Sequence, residues 1–528
     1  MQSIKVLDVT LRDGGCVNDF NFGNKYMAQI LAADESAGVD CIELGYIDDK
    51  DGSEEGRTKF ISEKAAGKFI KNKKDGIEYL VMMDYGKFNV SNLSRAEESK
   101  VDGIRLAFHK KNLDDIVAIG KIILDKGYRL YIQPMLTIHY TDEEILKLIH
   151  LINEELPKTT ALYIVDSFGE MRANDVERIL NIYDHNLKED VSVGFHSHNN
   201  LQLSYANAIS LIRFQTNRNI IVDSSILGMG KGAGNLNTEL LLEHLNLYFD
   251  KNYELLPLME VIDNVLSALR AEFNWGYSIE YYLSSKYHIS PSYANYFYNK
   301  HSLSVTQLSE LLASVDDSKK ISFDKEYARK IYRDYKARNL IEDTRVVERI
   351  KDDIFGRNVL LVAPGRNAKL YLEKIKRVVA EDDTVVIGVN NYNLIPVDYI
   401  VISRMEMYQD LKQSNIKIIA LSNITDEPQS VYALLNYSRW TMFEEELHDS
   451  AGVTALRLME YCRPRKIMLA GFDGLSYDIN NNYYDETMRF AYSKENIDNN
   501  NIFLKNYISE LGKKIEVEHI TPSLYEEF

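Results

Sequence analysis

The stretch that decides the fold is IKVLDVTLRDGG, residues 4–15, in which an apolar strand pattern runs directly into an arginine, an aspartate and two glycines. Seven more strand patterns follow before residue 250, and each precedes a segment with helical spacing. Continuous apolar strands that alternate with helices indicate a parallel sheet buried on both faces. The eight candidates are IKVLDVT (4–10), CIELGYI (41–47), YLVMMDY (79–85), GIRLAFH (103–109), LYIQPML (130–136), ALYIVDS (161–167), VSVGFHS (191–197) and IIVDSSIL (220–227).

Eight such units within residues 1–250 predict an α/β protein with a closed (β/α)₈ barrel, a TIM barrel. A doubly wound open sheet is the structural alternative. Polar residues cluster just after the strands, and a barrel gathers all of these positions at one rim. The pattern therefore favours the barrel.

The remainder of the chain divides into two stretches. Residues 251–350 predict a helical extension, because MEVIDNVLSALRAEF (259–273) and FDKEYARKIYRDYKARNL (323–340) carry apolar residues at helical spacing. From residue 351 the strand, turn and helix rhythm resumes, which predicts a Rossmann-like α/β domain over 351–528. Its strand candidates are NVLLVAP (358–364), VVIGVN (385–390), DYIVIS (398–403), IKIIALS (416–422) and KIMLAGFD (466–473).

Composition excludes several classes of protein. A net charge of −17 over 528 residues argues against non-specific binding to nucleic acid, which needs a cationic surface. The sequence contains no apolar run long enough to span a membrane and no export signal, so we expect a cytoplasmic protein without membrane contact. The three widely spaced cysteines, Cys16, Cys41 and Cys462, are typical of reduced thiols.

Two strand ends carry residues suited to metal chemistry. His196 and His198 alternate along strand seven, so both imidazoles face the same side. Asp13, after strand one, would add a carboxylate oxygen from across the rim. An exposed strand end is the alternative for a lone His-x-His pair, but the Arg12-Asp13 pair at a second strand end favours a site for Mn²⁺, Mg²⁺, Co²⁺ or Zn²⁺.

Three segments resemble a known family: LDVTLRDGG (7–15), GFHSHNNLQLSYANAI (194–209) and DSSILGMGKGAGNLNTE (223–239). Their order and strand context are similar to those of the metal-dependent aldolases and lyases, which include 4-hydroxy-2-oxovalerate aldolase, HMG-CoA lyase and isopropylmalate synthase. IRLAFHKK (104–111) and YIVDSFGEM (163–171) extend the resemblance over the whole barrel. It is strongest to the 4-hydroxy-2-oxovalerate aldolases.

The resemblance implies a role for each matching residue. Asp13, His196 and His198 would hold the metal, with Mn²⁺ as the first expectation, and Asn235 would approach it. Arg12 would neutralise an enolate, a task suited to a permanently charged guanidinium.

The resemblance also implies rim residues that shape the substrate site. Gly232 and Gly234 would let the backbone close on the site. Glu43 and Asp166 would bind substrate, and a structural salt bridge is the alternative for both.

One departure from the family concerns proton transfer. Where the aldolases carry a catalytic histidine, this chain has Cys16, whose thiol is a poor base unless its pKa is lowered. His109, after strand four, is the leading alternative base. Tyr277 resembles a tyrosine that the aldolases supply from their helical extension, and Tyr281 is its competitor.

The resemblance implies a lyase, a metal-dependent aldolase that cleaves or forms a carbon–carbon bond of a 4-hydroxy-2-oxo acid through a metal-bound pyruvate enolate. Its partners would be a 2-oxo acid and an aldehyde, and barrels of this family imply a homo-oligomer. A Claisen-type synthase that joins an acyl-CoA to a 2-oxo acid, and a non-catalytic barrel, are the alternative hypotheses.

The C-terminal stretch loosely resembles nucleotide-binding domains of sialyltransferase-like proteins, through LLVAPGRNAKLYLEKI (360–375) and SAGVTALRLMEYCRPRKIMLAGFDG (450–474). That resemblance implies a nucleotide or sugar nucleotide as ligand, and a place in surface-glycan or modified-sugar biosynthesis. Gly365, in a turn between a strand and a helix, could help to cradle a phosphate. Asn390 and Asp473 would contact the ligand from other strand ends.

Overall fold

The computed structural model describes residues 3–50, 55–273, 275–300, 303–338, 341–380, 383–425, 427–441, 450–485 and 494–526. The chain forms two compact units, Met1–Pro291 and Ser292–Phe528. Among the described helices, none combines the length and the apolar character that crossing a membrane requires.

The first unit contains the predicted eight-stranded parallel barrel. Its strands follow one another around the sheet in chain order, and β1 pairs with both β9 and β2, which closes the barrel. The two-residue β3, which the sequence did not predict, pairs only with β2. The strands are β1 Ile4–Asp8, β2 Cys41–Ile47, β3 Lys59–Phe60, β4 Glu78–Asp84, β5 Gly103–Phe108, β6 Arg129–Pro134, β7 Thr159–Asp166, β8 Ser192–Ser197 and β9 Ile220–Ser224.

Helices cover the outside of the barrel, and further helices follow its last strand along the chain. A π-helical turn, Ile262–Leu266, separates α8 from α9. The helices up to residue 298 are α1 Gly23–Ala37, α2 Glu63–Gly67, α3 Ile116–Asp125, α4 Asp142–Glu155, α5 Ala173–Asn186, α6 Ser204–Ile212, α7 Thr238–Tyr248, α8 Leu256–Val261, α9 Ser267–Phe273, α10 Ile279–Lys286 and α11 Pro291–Tyr298.

Alternate residues of each barrel strand face either the interior or the surrounding helices. The interior holds a small apolar cluster that includes Leu7, Leu80, Tyr131 and Tyr163. A much larger cluster lies between the strands and the helices. Continuous apolar strands are needed here because both strand faces are buried. Side chains at the inward positions nearest the carboxyl ends of the strands are therefore free to form a site.

The second unit is an open parallel sheet, as the sequence predicts, with strand order β14-β13-β12-β11-β10-β15-β16. The winding reverses between β10 and β15, and such a reversal leaves a crevice at the carboxyl ends of the strands. Its elements are α12 Val305–Ala313, α13 Lys325–Arg338, α14 Thr344–Ile354, β10 Asn358–Val362, α15 Arg366–Leu370, α16 Leu372–Val379, β11 Thr384–Val389, β12 Tyr399–Ile402, α17 Met405–Leu411, β13 Lys417–Leu421, β14 Ala433–Leu435, α18 Tyr437–Trp440, α19 Ala451–Cys462, β15 Lys466–Ala470, α20 Lys494–Gly512 and β16 Glu516–His519.

The structure adds two outer strands, β14 and β16, to those that the sequence predicts for this sheet. β14 has three residues, and β16, EVEH, alternates charged and apolar residues, so neither presents a continuous apolar run. Of the stretch 251–350, expected as a helical extension, α8 to α10 lie in the first unit and α12 to α14 in the second.

Two glycines of the first unit offer a matched test of backbone packing. Gly45 in β2 has φ of +149°, and a Cβ there would lie 2.0 Å from the Thr58 carbonyl oxygen. Gly38, after α1, has φ of +76° and open space around it. We expect Gly38→Ala to lower the free energy of unfolding by about 1 kcal/mol, from backbone conformation alone. Gly45→Ala should lower it by about 3 kcal/mol or more. Urea unfolding of both variants measures the difference, and equal losses would contradict the backbone contact as its cause.

Candidate metal centre and active site

The turn after β1 holds two of the candidate residues. The backbone amides of Arg12 and Asp13 both donate to the Val9 carbonyl oxygen, at 3.1 and 2.8 Å. The buried Asp8 carboxylate accepts a hydrogen bond from the Thr238 hydroxyl at 2.7 Å, which ties the end of β1 to α7. Arg12 and Asp13 are thereby fixed at the carboxyl rim of the barrel.

Asp13, His196 and His198 come together as the sequence predicts. Their candidate ligand atoms all lie within 4.8 Å of one another, and all three residues are buried. The two imidazole rings lie 5.2 Å apart between centroids and are nearly perpendicular. One carboxylate and two imidazoles therefore converge on one point at the rim.

The unpaired polar atoms of this group fit a cation. His198 Nδ1 and the Asn235 side-chain oxygen are buried and have no hydrogen-bond partner among the described residues, and His198 Nδ1 lies 3.8 Å from an Asp13 oxygen. Buried polar atoms without a partner are rare in proteins. The Asn235 amide nitrogen donates to Asp13 at 2.8 Å, which holds this side chain against the group. A divalent ion that accepts nitrogen and oxygen ligands suits this donor set.

A chain of buried ion pairs supports the three candidate ligands. Arg12 donates to Glu43 through Nε at 2.6 Å and to Asp13 through Nη1 at 2.7 Å. Arg105 on β5 donates to the same Glu43 oxygen at 2.7 Å and also to Asp223 on β9. Three carboxylates, Asp13, Glu43 and Asp223, face two guanidinium groups. The remaining negative charge favours a cation at the site.

The protonation states of this group suit metal binding. Burial raises the pKa of Asp13, but His198, Arg12 and His196 outweigh burial and hold that pKa well below its usual range. Burial lowers the pKa of His198 to about 4, although Asp13 acts in the opposite direction. Asp223 Oδ2 lies 3.0 Å from His196 Nδ1, where a carboxylate can orient a ligating imidazole. At neutral pH Asp13 is ionised and His198 is neutral, the forms that bind metal.

The glycine-rich turn after β9 allows a close approach to Asp13. A Cβ at Gly230 would lie 2.6 Å from an Asp13 carboxylate oxygen and 2.4 Å from the Asn235 amide nitrogen. Gly234 has φ of +83°, and a Cβ there would lie 2.0 Å from a backbone carbonyl oxygen. Gly232 has φ of +68° and faces the Asn200 amide. Gly230, which sequence reasoning missed, is the glycine whose absent side chain leaves room beside Asp13.

The two predicted rim carboxylates differ in their surroundings. Glu43 is fully buried beneath the site and is shared by Arg12 and Arg105. Asp166, the last residue of β7, accepts hydrogen bonds from the Glu170 and Met171 amides at 2.9 and 3.1 Å. Burial raises the pKa of Asp166 to about 7. Both carboxylates therefore have protein partners that account for their position.

Cys16 and His109 offer different prospects for proton transfer. Desolvation by the surrounding protein is the main cause that raises the pKa of Cys16 to about 12, and the charge of Asp13 is the second. The residue is nevertheless exposed at the surface. A thiol that stays protonated at neutral pH cannot serve as a base. Burial, Lys111 and Lys231 lower the pKa of the partly buried His109, so its imidazole is neutral.

The two tyrosines near α10 lie in different surroundings. Tyr277 precedes the helix and is 58% exposed. Tyr281 lies within α10, where burial and then Glu280 raise its pKa to about 12. Ser285 Oγ on the same helix donates to the Phe168 carbonyl oxygen at 2.6 Å. Tyr281 thus belongs to a helix that is anchored to the loop after β7.

Arg105 and Asp223 are buried members of the site that sequence reasoning missed. Each interrupts an otherwise apolar strand, GIRLAF and IIVDS. A charged residue inside a buried strand needs a partner of opposite charge, so the interruption was the available signal. No sequence pattern identifies which two strands supply the pair.

Gly365, Asn390 and Asp473 line one cleft in the second unit, at the carboxyl ends of its strands. The Asp473 carboxylate accepts a hydrogen bond from the Asn367 amide at 2.7 Å, and burial raises the pKa of Asp473 to about 6. The Asn367 backbone amide therefore already donates a hydrogen bond within the protein. A Cβ at Gly365 would lie 2.3 Å from the Gly471 carbonyl oxygen, so the turn after β10 needs glycine for packing.

Replacement of a candidate ligand tests the metal centre. We expect His196→Ala and His198→Ala each to weaken Mn²⁺ binding more than about 100-fold, because each removes one of three converging donors. Calorimetric titration measures this affinity, and circular dichroism verifies the fold. His139→Ala is the matched control, since this rim histidine pairs with Glu170 at 2.7 Å and is no candidate ligand. Unchanged Mn²⁺ affinity in both ligand variants would contradict the assignment.

Comparison with known proteins agrees with this geometry. The HMGL-like family model matches residues 3–265. A 4-hydroxy-2-oxovalerate aldolase from Carboxydothermus hydrogenoformans is 29% identical over 272 residues, which cover 50% of this chain and 78% of that protein. 4-Hydroxy-2-oxovalerate aldolase 2 from Comamonas testosteroni is 29% identical over 46% of this chain and 68% of its own length.

A solved structure is also similar to the first part of the chain. It is the N-terminal domain of a protein assigned as an aldolase from Bacteroides vulgatus, with 25% identity and a TM-score of 0.51, and the match covers 58% of this chain and 99% of that one. The matched family segment contains the whole barrel together with Asp13, His196 and His198. Through residues 3–265, the chain therefore belongs to the HMGL-like family.

Proposed function

We propose that the first unit is a divalent-metal-dependent aldolase that cleaves, or in reverse forms, the C3–C4 bond of a 4-hydroxy-2-oxo acid, with pyruvate as one product. The observation that carries the proposal is the buried Asp13, His196 and His198 group with the Arg12 guanidinium bonded against it. The names of the two aldolase relatives support this substrate class.

Asp13, His196 and His198 would hold the cation, for which Mn²⁺ is our first choice and Mg²⁺, Co²⁺ or Zn²⁺ are alternatives. When bound, the cation would polarise the 2-oxo group and favour negative charge on its oxygen. The Asn235 amide, bonded to Asp13, keeps that carboxylate in place. The absence of a Cβ at Gly230 lets the turn after β9 pack closely against Asp13 and Asn235.

Arg12 is placed to stabilise the negative charge that develops as the carbon–carbon bond breaks. Its Nε and Nη1 atoms are bonded to Glu43 and Asp13, while its buried Nη2 has no hydrogen-bond partner in the described part of the chain. A buried donor of this kind, held in a fixed direction, stabilises an enolate oxygen without reorganisation. Glu43, itself held by Arg105, sets the direction of the guanidinium.

Two other hypotheses use the same residues. A Claisen-type synthase would join an acyl-CoA to a 2-oxo acid, and release of free thiol from acetyl-CoA would identify it. A non-catalytic barrel is the second alternative, because Cys16 replaces the expected catalytic histidine. The complete Asp13, His196 and His198 group argues against a barrel that has lost its chemistry.

Pyruvate release tests the proposed reaction. With Mn²⁺ present, we expect the full chain to release pyruvate from at least one acid in a panel of 4-hydroxy-2-oxo acids, measured with a coupled lactate dehydrogenase assay. Arg12→Lys should lower kcat/KM by about 100-fold or more, because an ammonium group cannot replace the fixed Nη2 donor. Arg178→Lys, which alters an outer-surface pair with Asp142, should leave it unchanged. No pyruvate from any acid with Mn²⁺ bound would count against the aldolase.

We further propose that the second unit binds a nucleotide or sugar nucleotide in the cleft lined by Gly365, Asn390 and Asp473. The cleft lies where the winding of the sheet reverses, a frequent ligand position in open α/β sheets. Arg404 and the first turn of α19 supply positive charge to it, and Asp473 supplies a carboxylate. These groups suit a ligand with both a phosphate and sugar hydroxyls. Such a ligand would connect the aldolase with surface-glycan or modified-sugar biosynthesis.

Calorimetric titration of the full chain with CMP, UDP and GDP sugars tests the cleft. We expect one of these nucleotides to bind, and Asp473→Asn to weaken its binding about tenfold or more by loss of charged hydrogen bonds to the sugar. Arg357→Gln is the control, because this arginine pairs with Asp383 outside the cleft. Absence of binding by all three nucleotide classes would remove the proposal.

A further inference from the structure

The barrel mouth contains a carboxylate that no step described so far uses. Asp84 is the last residue of β4. Leu80, four residues earlier on the same strand, belongs to the apolar cluster inside the barrel. Because side chains alternate along a strand, Leu80, Met82 and Asp84 all face inward. Asp84 is the residue of this row nearest the carboxyl rim, where the candidate metal ligands lie.

Strand pairing places Asp84 beside a small residue. It lies opposite Ala107 on β5, and Ala107 lies opposite Gln133 on β6. The methyl group of Ala107 leaves room between the two larger side chains. Arg105, two residues before Ala107, faces inward in the layer beneath and pairs with Glu43. Asp84 therefore stands directly above the buried ion pairs.

The carboxylate of Asp84 is unlike the other carboxylates of the site. Asp13, Glu43 and Asp223 are all bonded to guanidinium groups. Within the described ranges the Asp84 side chain has no hydrogen bond, and it is only partly buried. It is thus accessible from the mouth and free to accept a proton.

The charges around Asp84 connect it with Arg12. Burial raises its pKa to about 6, Arg12 and Lys87 act to lower it, and Glu43 and Asp48 act to raise it. Asp84 in turn raises the pKa values of Tyr46 and Cys16, and Arg12 lowers both of them. The other ionisable groups that interact with Asp84 include Lys87, Glu43, Asp48, Tyr46 and Cys16. A carboxylate with this pKa is mostly ionised at neutral pH and can still return a proton.

We propose that Asp84 is the catalytic base of the aldolase, in place of the histidine that Cys16 replaces. This assignment rests on the proposed function. In cleavage, the Asp84 carboxylate removes the proton from the C4 hydroxyl of the substrate. The C4–O bond becomes a carbonyl, the C3–C4 bond breaks, and its electron pair passes to the pyruvate enolate beside Arg12. The protonated Asp84 then returns the proton to C3, which gives pyruvate and restores the carboxylate.

His109 is the competing base, and its position favours another role. It lies two residues beyond Ala107, so it is one inward step further toward solvent than the residue opposite Asp84. The cations that act on it are Lys111 and Lys231, whereas Arg12 acts on Asp84. The Lys231 backbone amide donates to Asp13, so both bases lie near the site, and only the outward position of His109 favours the outer part of a substrate.

Two measurements on Asp84→Asn test the assignment. The first is kcat for pyruvate release across pH 5 to 8. The second is exchange of the pyruvate methyl protons with D₂O, followed by NMR, which requires proton transfer at C3 without the aldehyde. We expect kcat and exchange to fall by about 100-fold or more, with KM and Mn²⁺ affinity within about threefold of wild type. Unchanged Mn²⁺ affinity separates lost catalysis from lost folding.

The pH dependence adds a readout that a structural role would not move. In wild type, kcat should fall as the pH drops through the Asp84 pKa, because the base becomes protonated. Asp84→Asn should lose this acidic limb, and Asp84→Glu should retain it at a reduced rate. Asp114→Asn, an outer-surface carboxylate paired with Lys147, is the matched control and should match wild type.

Each contrary outcome has a distinct meaning. If Asp84→Asn keeps both its rate and its acidic limb, the assignment of Asp84 as the base is overturned, and the proposed aldolase function is unaffected. If His109→Gln loses the limb instead, His109 is the base. If wild type neither releases pyruvate nor exchanges its methyl protons with Mn²⁺ bound, the proposed function is overturned and the assignment falls with it.

Discussion

The site depends on one constraint, which is that ionised side chains inside a barrel must neutralise one another. Burial of a charge costs several kcal/mol, and removal of one partner from a buried pair costs about 3–5 kcal/mol. Here Asp13, Arg12, Glu43, Arg105 and Asp223 form one continuous chain of pairs. The direction of the Arg12 guanidinium, the ionisation of Asp13 and the carboxylate beside His196 all follow from it. Both ends of this chain reach candidate metal ligands, Asp13 directly and His196 through Asp223, and Arg12 lies next to Asp13.

The fold was predictable because both of its sheets are parallel and buried on both faces. Such strands appear as continuous apolar runs, and all eight barrel strands and five strands of the second sheet were found in this way. The strands that the sequence did not predict lack that pattern. β3 has two residues, β14 has three, and β16 alternates in polarity at an edge. Edge strands and very short strands bury too little apolar surface to leave a signal.

The candidate site was predictable where its residues form a recognisable pattern, His-x-His or Arg-Asp at a strand end, and not where a single charged residue interrupts a strand. Asp13, His196 and His198 occupy strand ends, and the structure brings them together. Arg105 and Asp223 lie within strands, and only strand register shows that they meet. Asp84 is the last residue of β4 but belongs to no motif, so its inward direction became visible only from its strand neighbours.

The raised pKa of Cys16 affects how fast oxidants react with this thiol. Thiols beside metal centres are usually vulnerable, because thiolates react readily with peroxide and because redox-active metals generate oxidants nearby. The surrounding protein and the charge of Asp13 keep this thiol protonated. A protonated thiol is a slow nucleophile, so peroxide should oxidise Cys16 to sulfenic acid more slowly than it oxidises a thiolate. The chain thus carries an exposed sulfur atom three residues from the candidate ligand Asp13, in a form that oxidants attack slowly.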